Sequence, residues 1–454
     1  MISGVTISKE KGGFDMTPKD KQNTIDLELL AIEGGTPTRT EPLPLEFSGM
    51  HYIDEAEIEA AVRVLKSRSL FRYYGIDVQG EAEAFERELA EFMGVKHALA
   101  VSSGSGALQT ALSALGVGPG QEVIVPCYMW VAVLGAVVNL GAIPVLADID
   151  GSFTLDPADV ERQITPRTAG IIAVHMSGAP ANAPALAEIA RKRGLFLLED
   201  CAQCVGGSIG GKKVGSFGDM GIFSFQMNKN MSCGEGGGVL TNDKRLYQRA
   251  VAAHDIGYAR DDNGRAIYDN LDLCIWGRGY RIDELRAAIL RVQLKKLPQI
   301  ISHMRESKRR IRQALAEFPQ VRLRRLTDPD GDTGCFLILT LKSAEEAKWV
   351  NQALRAEGIK PNSQGTSNIV MNDWGLHIYF NNVSLVNKTS VDAKGFPWKL
   401  AENQGSDPHY EKGTCPVADG LFERSILLTI PSCLTTADED DIIHAFRKVL
   451  AHRA

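Results

Sequence analysis

The sequence predicts an α/β protein with a large, mainly parallel sheet domain flanked by helices and a smaller α+β domain at its C-terminal end. Three observations support this fold class. Short apolar runs alternate with segments of helical period from residue 97 onward. Most of these runs are apolar at successive positions, as expected for strands buried on both faces of a parallel sheet. The chain has 454 residues, enough to bury a large core and a second, smaller one.

The individual elements follow from these patterns in chain order. Two helices are predicted before the alternation begins, at 54–65 and 81–92. The predicted strands of the large sheet are 97–101, 122–125, 143–146, 169–175, 195–198, 220–224 and 238–240. The helices between them are 103–115, 131–140 and 184–192. A long helix is predicted to begin near Asp283, and a second helix is predicted to follow it.

The C-terminal part has a different pattern. A strand at 336–341, a helix at 344–357 and a terminal helix from Ala437 predict a small α+β unit. We therefore expect a flexible arm at 1–24, the large domain at 25–300 and the small domain at 301–454. Residues 361–421 form a long, turn-rich stretch without clear period. Such irregular segments in compact proteins are usually functional or partly mobile.

Composition excludes several classes of protein. There are 50 basic and 56 acidic residues, a net charge of −6, and no basic stripe that would bind nucleic acid. The first 22 residues lack the apolar core of a signal peptide. The apolar stretch 131–147 is interrupted by Asn139, Gly141 and Pro144, which disfavours a membrane span. We therefore expect a cytoplasmic protein without a membrane partner.

Eight cysteines are scattered along the chain, which is typical of reduced thiols rather than a disulfide framework. Cys201 and Cys204 form the one close pair. They could form a redox pair or half of a metal site. However, neither a second Cys-x-x-Cys nor a histidine pair accompanies them, so two small buried residues after a strand are favoured. We predict no metal site.

Lys229 has the most informative surroundings. It ends the segment SFQMNK (224–229) and precedes a glycine cluster at 234–238. Upstream, an apolar run at 195–198 ends in Glu199 and Asp200. A lysine in a loop and an acid at the end of a buried strand suit pyridoxal 5′-phosphate (PLP). The amine forms a Schiff base, and the carboxylate keeps the pyridine nitrogen protonated so that the ring can accept electrons. Lys229 and Asp200 are therefore the predicted catalytic residues.

A phosphate-binding turn is predicted at SSGSGAL (102–108), between a strand and a helix. Small residues let backbone N–H groups approach an anion at the positive end of the helix, although ordinary helix caps have the same composition. Ser224, five residues before Lys229, could reach the same phosphate. Trp130 could stack on the cofactor ring, or it could be a plain core aromatic.

A second glycine-rich segment suggests a different function. GGSIGGKK (206–213) matches a Walker A loop until its last position. There Lys213 replaces the serine or threonine that binds magnesium, which disfavours an NTPase.

Taken together, these segments resemble the DegT/DnrJ/EryC1/StrS family of sugar aminotransferases, which are fold-type-I PLP enzymes. The resemblance covers roughly residues 30–300 and is looser beyond them. The matching segments are SGS (103–105), GQEVI (120–124), VH (174–175), EDCAQ (199–203), VGSFGD (214–219), SF and KN (224–230), GEGG (234–237), and AA and QL within 281–294. PLP is the implied cofactor, with pyridoxamine 5′-phosphate as its aminated form.

The resemblance also implies a role for each matched residue. Lys229 would be the Schiff-base lysine and then the group that moves the proton, and Asp200 would pair with the pyridine nitrogen. Gln203 would hydrogen-bond the ring hydroxyl, and Trp130 would stack on the ring. The implied phosphate contacts are Ser105, Gly106 and Ser224. Family members close their site across a dimer interface, so a homodimer is implied.

The sequence departs from the family pattern in three places. The family usually has Gly-x-Asn-x-Arg before the long helix, where the Asn reaches the partner subunit's phosphate. Here Gly279 replaces that Asn, so Arg278 or the backbone would take over the contact. Gln226 stands where a histidine is frequent. The stretch after 361 lacks the family pattern, and three of its residues could shape a different substrate pocket or simply pack: His377, Tyr379 and Trp398.

The predicted function is transfer of an amino group from an amino acid, glutamate or glutamine, to a keto or aldehyde group of a sugar or cyclitol. One alternative is a PLP- or pyridoxamine-phosphate-dependent sugar dehydratase, in which histidine replaces the lysine. The other is a non-catalytic regulator that only binds the cofactor. Lys229 argues against the first, and the complete set of lysine, acid and phosphate-binding turn argues against the second.

Overall fold

The computed structural model describes residues 28–261, 264–360 and 368–453. The predicted arm at 1–24 lies outside the described residues, as does the first part of the irregular stretch, 361–367.

A seven-stranded sheet forms the centre of the molecule, with the strand order β1-β9-β8-β5-β4-β2-β3. Strands β2, β3, β4, β5 and β8 run parallel, and β9 pairs antiparallel with both β1 and β8. The predicted mainly parallel sheet is therefore confirmed. The strands among the described residues are β1 His97–Val101, β2 Glu122–Pro126, β3 Ile143–Ala147, β4 Thr168–Val174, β5 Phe196–Asp200, β6 Ser208–Ile209, β7 Lys212–Lys213, β8 Met220–Ser224, β9 Gly237–Thr241, β10 Arg322–Leu323, β11 Phe336–Thr340, β12 Asn368–Val370 and β13 Ser425–Thr429.

Helices cover the sheet and surround the C-terminal part. They are α1 Glu55–Ser67, α2 Glu81–Met93, α3 Gly104–Leu115, α4 Ala132–Asn139, α5 Pro157–Gln163, α6 Ala183–Arg193, α7 Lys244–His254, α8 Glu284–Leu315, α9 Ala344–Ala356, α10 Val383–Val386, α11 Pro416–Arg424 and α12 Thr436–Ala451. Buried positions on the two faces of the sheet belong to separate apolar clusters, one with α3 and α4 and another with α2 and α8. The sheet is therefore apolar on both faces, as the sequence pattern predicts.

Helix α8 is one continuous helix of 32 residues, so the prediction of two successive helices is wrong. Pro298 lies inside it. A proline removes one helical hydrogen bond and usually kinks or ends a helix. Here the buried stripe continues across it through Leu297, Ile300, Ile301 and Met304. Burial of this stripe offsets the missing hydrogen bond, and the helix passes through residue 300 from the large sheet to the C-terminal part.

The C-terminal part is built on a four-stranded antiparallel sheet with the order β10-β11-β13-β12. One face packs on α9, α12 and the second half of α8 in a separate apolar cluster. The described chain therefore has a smaller α+β unit, as predicted.

Residues 371–415, which we call the covering segment, connect β12 to α11 through short helical turns. This segment returns to the β2–β3 edge of the large sheet. Asn403 accepts a hydrogen bond from the Gly120 N–H (2.7 Å) and donates one to the Gly141 carbonyl (2.9 Å). The Tyr410 hydroxyl donates to the Pro144 carbonyl at 2.6 Å. The irregular stretch is therefore anchored to the large sheet over much of its length.

One sequence alternative, the Walker A loop, is resolved by local structure. Residues 208–213 form the β6–β7 hairpin, and Lys213 donates to the Gly206 carbonyl at 3.1 Å. A Walker A loop leads from a strand into a helix, so this segment is not one.

Cys201 and Cys204 are buried free thiols that contact backbone carbonyls. Within the described ranges, no helix has the length and apolar character needed to cross a membrane.

Candidate active site

A cavity of about 520 Å³ lies at the carboxyl ends of the parallel strands β4, β5 and β8. Val174 and Asp200 are the last residues of β4 and β5, and both line it. Ligands of open α/β sheets bind at this edge, because the strands end there and loops diverge. Its lining includes the predicted residues Ser105, Trp130, Asp200, Gln203, Ser224 and Lys229.

Asp200 is a buried acid at the end of a central strand. Oδ1 accepts the Ala202 N–H at 2.9 Å. Among the described residues no hydrogen bond to Oδ2 is found, so this oxygen can accept a donor in the cavity. Burial raises the pKa of Asp200, and the Ala202 N–H and the charge on Lys229 oppose that rise. A cationic group in the cavity would therefore favour the ionised carboxylate.

Glu199, the neighbour of Asp200, points away from the cavity and fixes the end of β5. It accepts backbone N–H groups of Gly215, Phe217 and Gly218 at 2.6–2.9 Å. His175 accepts the Ala181 N–H at Nδ1, so its Nε2–H donates to Glu199 at 3.0 Å. Burial alone would raise the pKa of Glu199, but His175 and these N–H groups hold it below the usual value.

Replacing Glu199 with glutamine is expected to lower the free energy of unfolding by about 3 kcal/mol at neutral pH, because the buried N–H donors around it lose their charged acceptor. The folded-state pKa of Glu199 is depressed, so the stabilisation is present above its ordinary value of 4.5 and lost as pH falls. Urea denaturation at pH 7 and pH 4 measures both. A deficit that grows at pH 4 would contradict this assignment.

Lys229 lies in the loop that joins β8 to β9. The Phe225 N–H donates to the Gly236 carbonyl at 2.8 Å, and the Met227 N–H to Gly234 at 3.1 Å, which closes the base of the loop. The Lys229 carbonyl accepts the Gly49 N–H at 3.1 Å. Burial lowers the pKa of the Lys229 amine, and the Asp200 charge opposes this effect. A larger fraction of the amine is therefore neutral and nucleophilic than for an exposed lysine.

The phosphate-binding turn begins helix α3. The Ser103 side chain caps the helix by accepting the Gly106 N–H at 3.0 Å. Gly104 and Gly237 permit close approach: a Cβ on Gly104 would lie 2.7 Å from Ser224 Cβ, and one on Gly237 would lie 2.3 Å from the Ser103 carbonyl oxygen. Small residues therefore bring the positive end of α3 beside the Ser224 hydroxyl.

Gly106 differs from the other predicted phosphate contacts. It is not part of the cavity lining, and its N–H is engaged by Ser103. Ser103, Gly104 and Ser105 line the cavity instead. A phosphate contact from Gly106 would have to share this N–H and stays a prediction.

Gln203 is positioned by the turn after β4. Its Oε1 accepts the Ser177 N–H at 3.0 Å, which leaves its amide N–H groups as donors for the cavity. Ser177 has a left-handed conformation with φ 53° and is held by the Tyr128 hydroxyl at 2.7 Å. Buried Arg324 donates to the Ser177 carbonyl at 3.2 Å. The C-terminal part therefore stabilises the turn that orients Gln203.

The model of the DegT/DnrJ/EryC1/StrS aminotransferase family matches residues 51–364. The chain belongs to this family. The resemblance stated from the sequence is thus confirmed, and the match includes Asp200, Lys229 and the phosphate-binding turn.

Relatives in the family act on sugars and cyclitols. The L-glutamine:2-deoxy-scyllo-inosose aminotransferase of Streptoalloteichus tenebrarius is 37% identical over 296 residues, 63% of this chain and 68% of that protein. The GDP-perosamine synthase of Vibrio cholerae is 39% identical over 238 residues, 52% of this chain and 63% of that protein. The chain thus spans about two thirds of the length of these curated relatives.

The similarity extends to whole folds. The crystal structure of DesV from S. venezuelae, in complex with a ketimine intermediate, is 29% identical to this chain with a TM-score of 0.71. The comparison covers 90% of this chain and 99% of DesV. The fold-type-I architecture of the family is therefore confirmed.

The covering segment contributes Trp374, which the sequence did not single out, and His377, which it named as a possible pocket residue. Trp374 and His377 line the cavity together with Trp130, and so do Cys335 and Phe336 from the C-terminal sheet region. Tyr379 and Trp398, considered together with His377, are not part of that lining. Tyr379 is buried and donates to Asp419 at 2.9 Å. The sequence signal was the aromatic content of the segment, which does not tell cavity residues from packing residues.

Gly279, which replaces the family Asn, has a left-handed backbone with φ 70°. Glycine adopts this conformation freely, and Asn adopts it more readily than most residues. A Cβ there would meet no atom within 4 Å. The backbone conformation therefore accounts for both residue types at this position.

Gly279→Asn is expected to change the free energy of unfolding by less than about 1 kcal/mol, whereas Gly279→Val is expected to cost about 2 kcal/mol, because a β-branched residue is strained at positive φ. Urea denaturation of both variants measures the difference. Equal losses would show that conformation does not govern this position.

Proposed function

We propose that this protein is a PLP-dependent aminotransferase that moves an amino group from glutamine or glutamate to a keto or aldehyde carbon of a sugar or cyclitol. The observation that carries the proposal is the presence of Lys229 and Asp200 in one cavity with the N-terminus of α3. Membership of the aminotransferase family supports it.

The residues of the cavity fit PLP. The phosphate matches the start of α3 with the hydroxyls of Ser105 and Ser224, which Gly104 and Gly237 allow to lie close together. The Oδ2 of Asp200 matches a protonated ring nitrogen, and Trp130 offers a ring face. The amide of Gln203 matches the ring hydroxyl. PLP, when bound, supplies a ring that takes up the electron pair released when a proton leaves the substrate carbon.

The protein's own groups perform the remaining steps. Lys229 would hold the cofactor at its aldehyde carbon through Nζ, and the same amine, once free, would accept and return the proton of the reacting carbon. Asp200, as a carboxylate, would stabilise positive charge on the ring nitrogen. The N-terminus of α3 and Ser224 would hold the phosphate in place. Lys229 as the base and Asp200 as the buried acid would act in both half-reactions, with the amino donor and with the acceptor.

The choice of substrates rests on the relatives. One of them uses L-glutamine and a deoxy-inosose, and another is a GDP-perosamine synthase. From these relatives we infer that the acceptor substrate of this protein is a hydroxylated ketone. Retention of Lys229 disfavours the dehydratase alternative, in which histidine replaces this lysine.

The test is a spectrum of the purified protein with PLP, followed by addition of L-glutamine or L-glutamate. The visible band of the lysine-bound cofactor should convert to the near-ultraviolet band of pyridoxamine phosphate, with release of the 2-oxo acid. Borohydride reduction before the donor is added should leave a pyridoxyl group on the Lys229 peptide, read by mass spectrometry. A band that no amino donor converts would favour the regulator or dehydratase alternatives.

We also propose that the protein acts as a homodimer. Within the described lining of the cavity, Lys229 is the one lysine or arginine and His377 is neutral, so further cations for the donor carboxylate would come from a second copy. The 256–276 region exposes apolar side chains, including Leu271 at 85% and Trp276 at 94%. Such a patch on a soluble enzyme usually marks an interface.

We place the protein in the cytoplasm, in keeping with its eight free cysteines.

Trp276→Glu is expected to shift the mass in solution from that of two chains toward that of one, because it places a charge in an apolar interface. Light scattering coupled to size-exclusion chromatography measures this mass. Val391→Glu, at an exposed apolar position of the covering segment, is the control and should leave the mass unchanged. A wild-type mass of one chain at micromolar concentration would refute the dimer.

A further inference from the structure

The covering segment fixes an aromatic pair at the edge of the active-site cavity. The Met129 N–H donates to the His377 carbonyl at 3.1 Å, and the Tyr379 N–H donates to the Cys127 carbonyl at 3.2 Å. These bonds extend the end of β2 with a short antiparallel bridge between Tyr128 and Ile378. The position of His377 is therefore set by backbone pairing to the large sheet and not by a free loop.

The ring of His377 lies between two tryptophans. It stacks on Trp374 with ring centroids 3.9 Å apart and planes inclined by 18°. The centroid of Trp130 lies 4.8 Å away, at 47°. Rings packed in this way restrict rotation of the imidazole, so its nitrogen atoms have defined directions.

The hydrogen bonding of His377 defines its chemistry. Nδ1 lies 3.2 Å from the Trp374 carbonyl oxygen, which can only accept, so Nδ1 carries the proton. Nε2 is then an acceptor, and no hydrogen bond to it is found in the part of the chain that the structure describes. Burial, with a smaller contribution from the charge on Lys229, lowers the pKa of His377 to about 4. The imidazole is therefore neutral at physiological pH.

His377 also stands between two cavities. A second, more open cavity of about 590 Å³ shares Trp130, Trp374 and His377 with the active-site cavity. The side chains of Asn351 and Arg355 line its other side. A substrate that occupies both cavities would lie against the imidazole and the indole rings.

We propose that His377, held by Trp374, is a specificity-determining residue for the acceptor: its Nε2 accepts a hydrogen bond from a hydroxyl group of a polyhydroxylated ketone. This inference rests on the proposed aminotransferase function. Hydroxyl groups are the common donors of sugars and cyclitols, and their ring C–H faces pack on indole rings. The ionised side chain of L-glutamate carries no donor group, so the donor half-reaction with L-glutamate does not use this contact.

The test separates the two half-reactions in wild-type protein and in His377→Phe, which keeps an aromatic ring on Trp374 but removes the acceptor nitrogen. The probes are scyllo-inosose and a nucleotide-linked 4-keto hexose, added to the pyridoxamine phosphate form. We expect the acceptor KM to rise about 10- to 100-fold in His377→Phe, because a substrate hydroxyl loses its partner. The rate of conversion by L-glutamate should change less than about twofold. His377→Gln, which restores an acceptor, should recover most of the loss.

Binding gives a readout that does not depend on turnover. Saturation-transfer NMR with myo-inositol, which has the hydroxyls but no ketone, should show a dissociation constant that rises by a similar factor in His377→Phe. Unchanged KM and unchanged myo-inositol binding would overturn the inference, as would equal slowing of both half-reactions. Wild-type protein that reacts only with unhydroxylated 2-oxo acids would also overturn it. Failure of every amino donor would refute the aminotransferase instead, and the myo-inositol titration would still decide the role of His377.

Discussion

Lys229→Ala is expected to lower the rate of amino transfer about 10⁴-fold or more, because the variant lacks both the nucleophile and the group that moves the proton. The rate is measured in a single turnover, by mixing the PLP-loaded protein with L-glutamine and following the visible band. The fold should survive. Burial lowers the pKa of the Lys229 amine, so its charged form is costly in the cavity, and the melting temperature should be unchanged or higher.

Lys229→Arg separates the reactivity of the Lys229 amine from its positive charge. A guanidinium keeps the positive charge near Asp200 but remains protonated, so it can neither bind the aldehyde nor move a proton. We expect a loss as large as that of Lys229→Ala, while Lys192→Ala, at an exposed ion pair with Glu188, should match wild type. Substantial activity in Lys229→Arg would mean that another residue is the base and that the assignment is wrong.

The core of the fold could be predicted because its strands and helices follow from the pattern of apolar residues that are near one another in sequence. Apolar runs such as that at 123–125 are buried at every position, and each predicted strand of the large sheet has a counterpart in the structure. The prediction of two successive helices was wrong because helical period is judged over a short window, whereas the stripe from Leu297 to Met304 is stabilised by contacts distant in sequence.

The same distinction between local pattern and contacts distant in sequence applies to the candidate site. Asp200 and Lys229 could be placed together because one ends a central parallel strand and the other follows the neighbouring strand, so topology brings them to one edge. His377 could be named as a possible pocket residue, but it could not be distinguished from Tyr379 and Trp398, which do not line the cavity. The contact of His377 with Trp130 depends on a backbone bridge to Met129, and an irregular segment has no period that predicts such pairing. The sequence also could not show that the Gly106 N–H is engaged, because this depends on the Ser103 side chain that caps α3.

Asp200→Asn is expected to lower the rate of amino transfer about 10²- to 10³-fold, because an amide cannot offset positive charge on the ring nitrogen. Burial raises the pKa of the Asp200 carboxyl in the folded protein. The ionised form is therefore less favoured in the folded than in the unfolded state, and it costs stability at pH 7. Cofactor-free Asp200→Asn should be at least as stable as wild type at that pH, as measured by urea denaturation.

The same variant reports on Lys229. The Asp200 charge raises the pKa of the Lys229 amine against the lowering effect of burial, so its removal should lower that pKa further. The rate at which cofactor-free protein captures PLP, followed by stopped-flow absorbance, should then begin its rise with pH at a lower pH than in wild type. Asp219→Asn is the matched control: Asp219 accepts the Leu197 N–H of the same strand at 2.8 Å, away from the cavity lining. That variant should lose stability but keep the wild-type pH profile. An unshifted profile in Asp200→Asn would show that the carboxylate does not act on Lys229, and the electrostatic role of Asp200 would have to be abandoned.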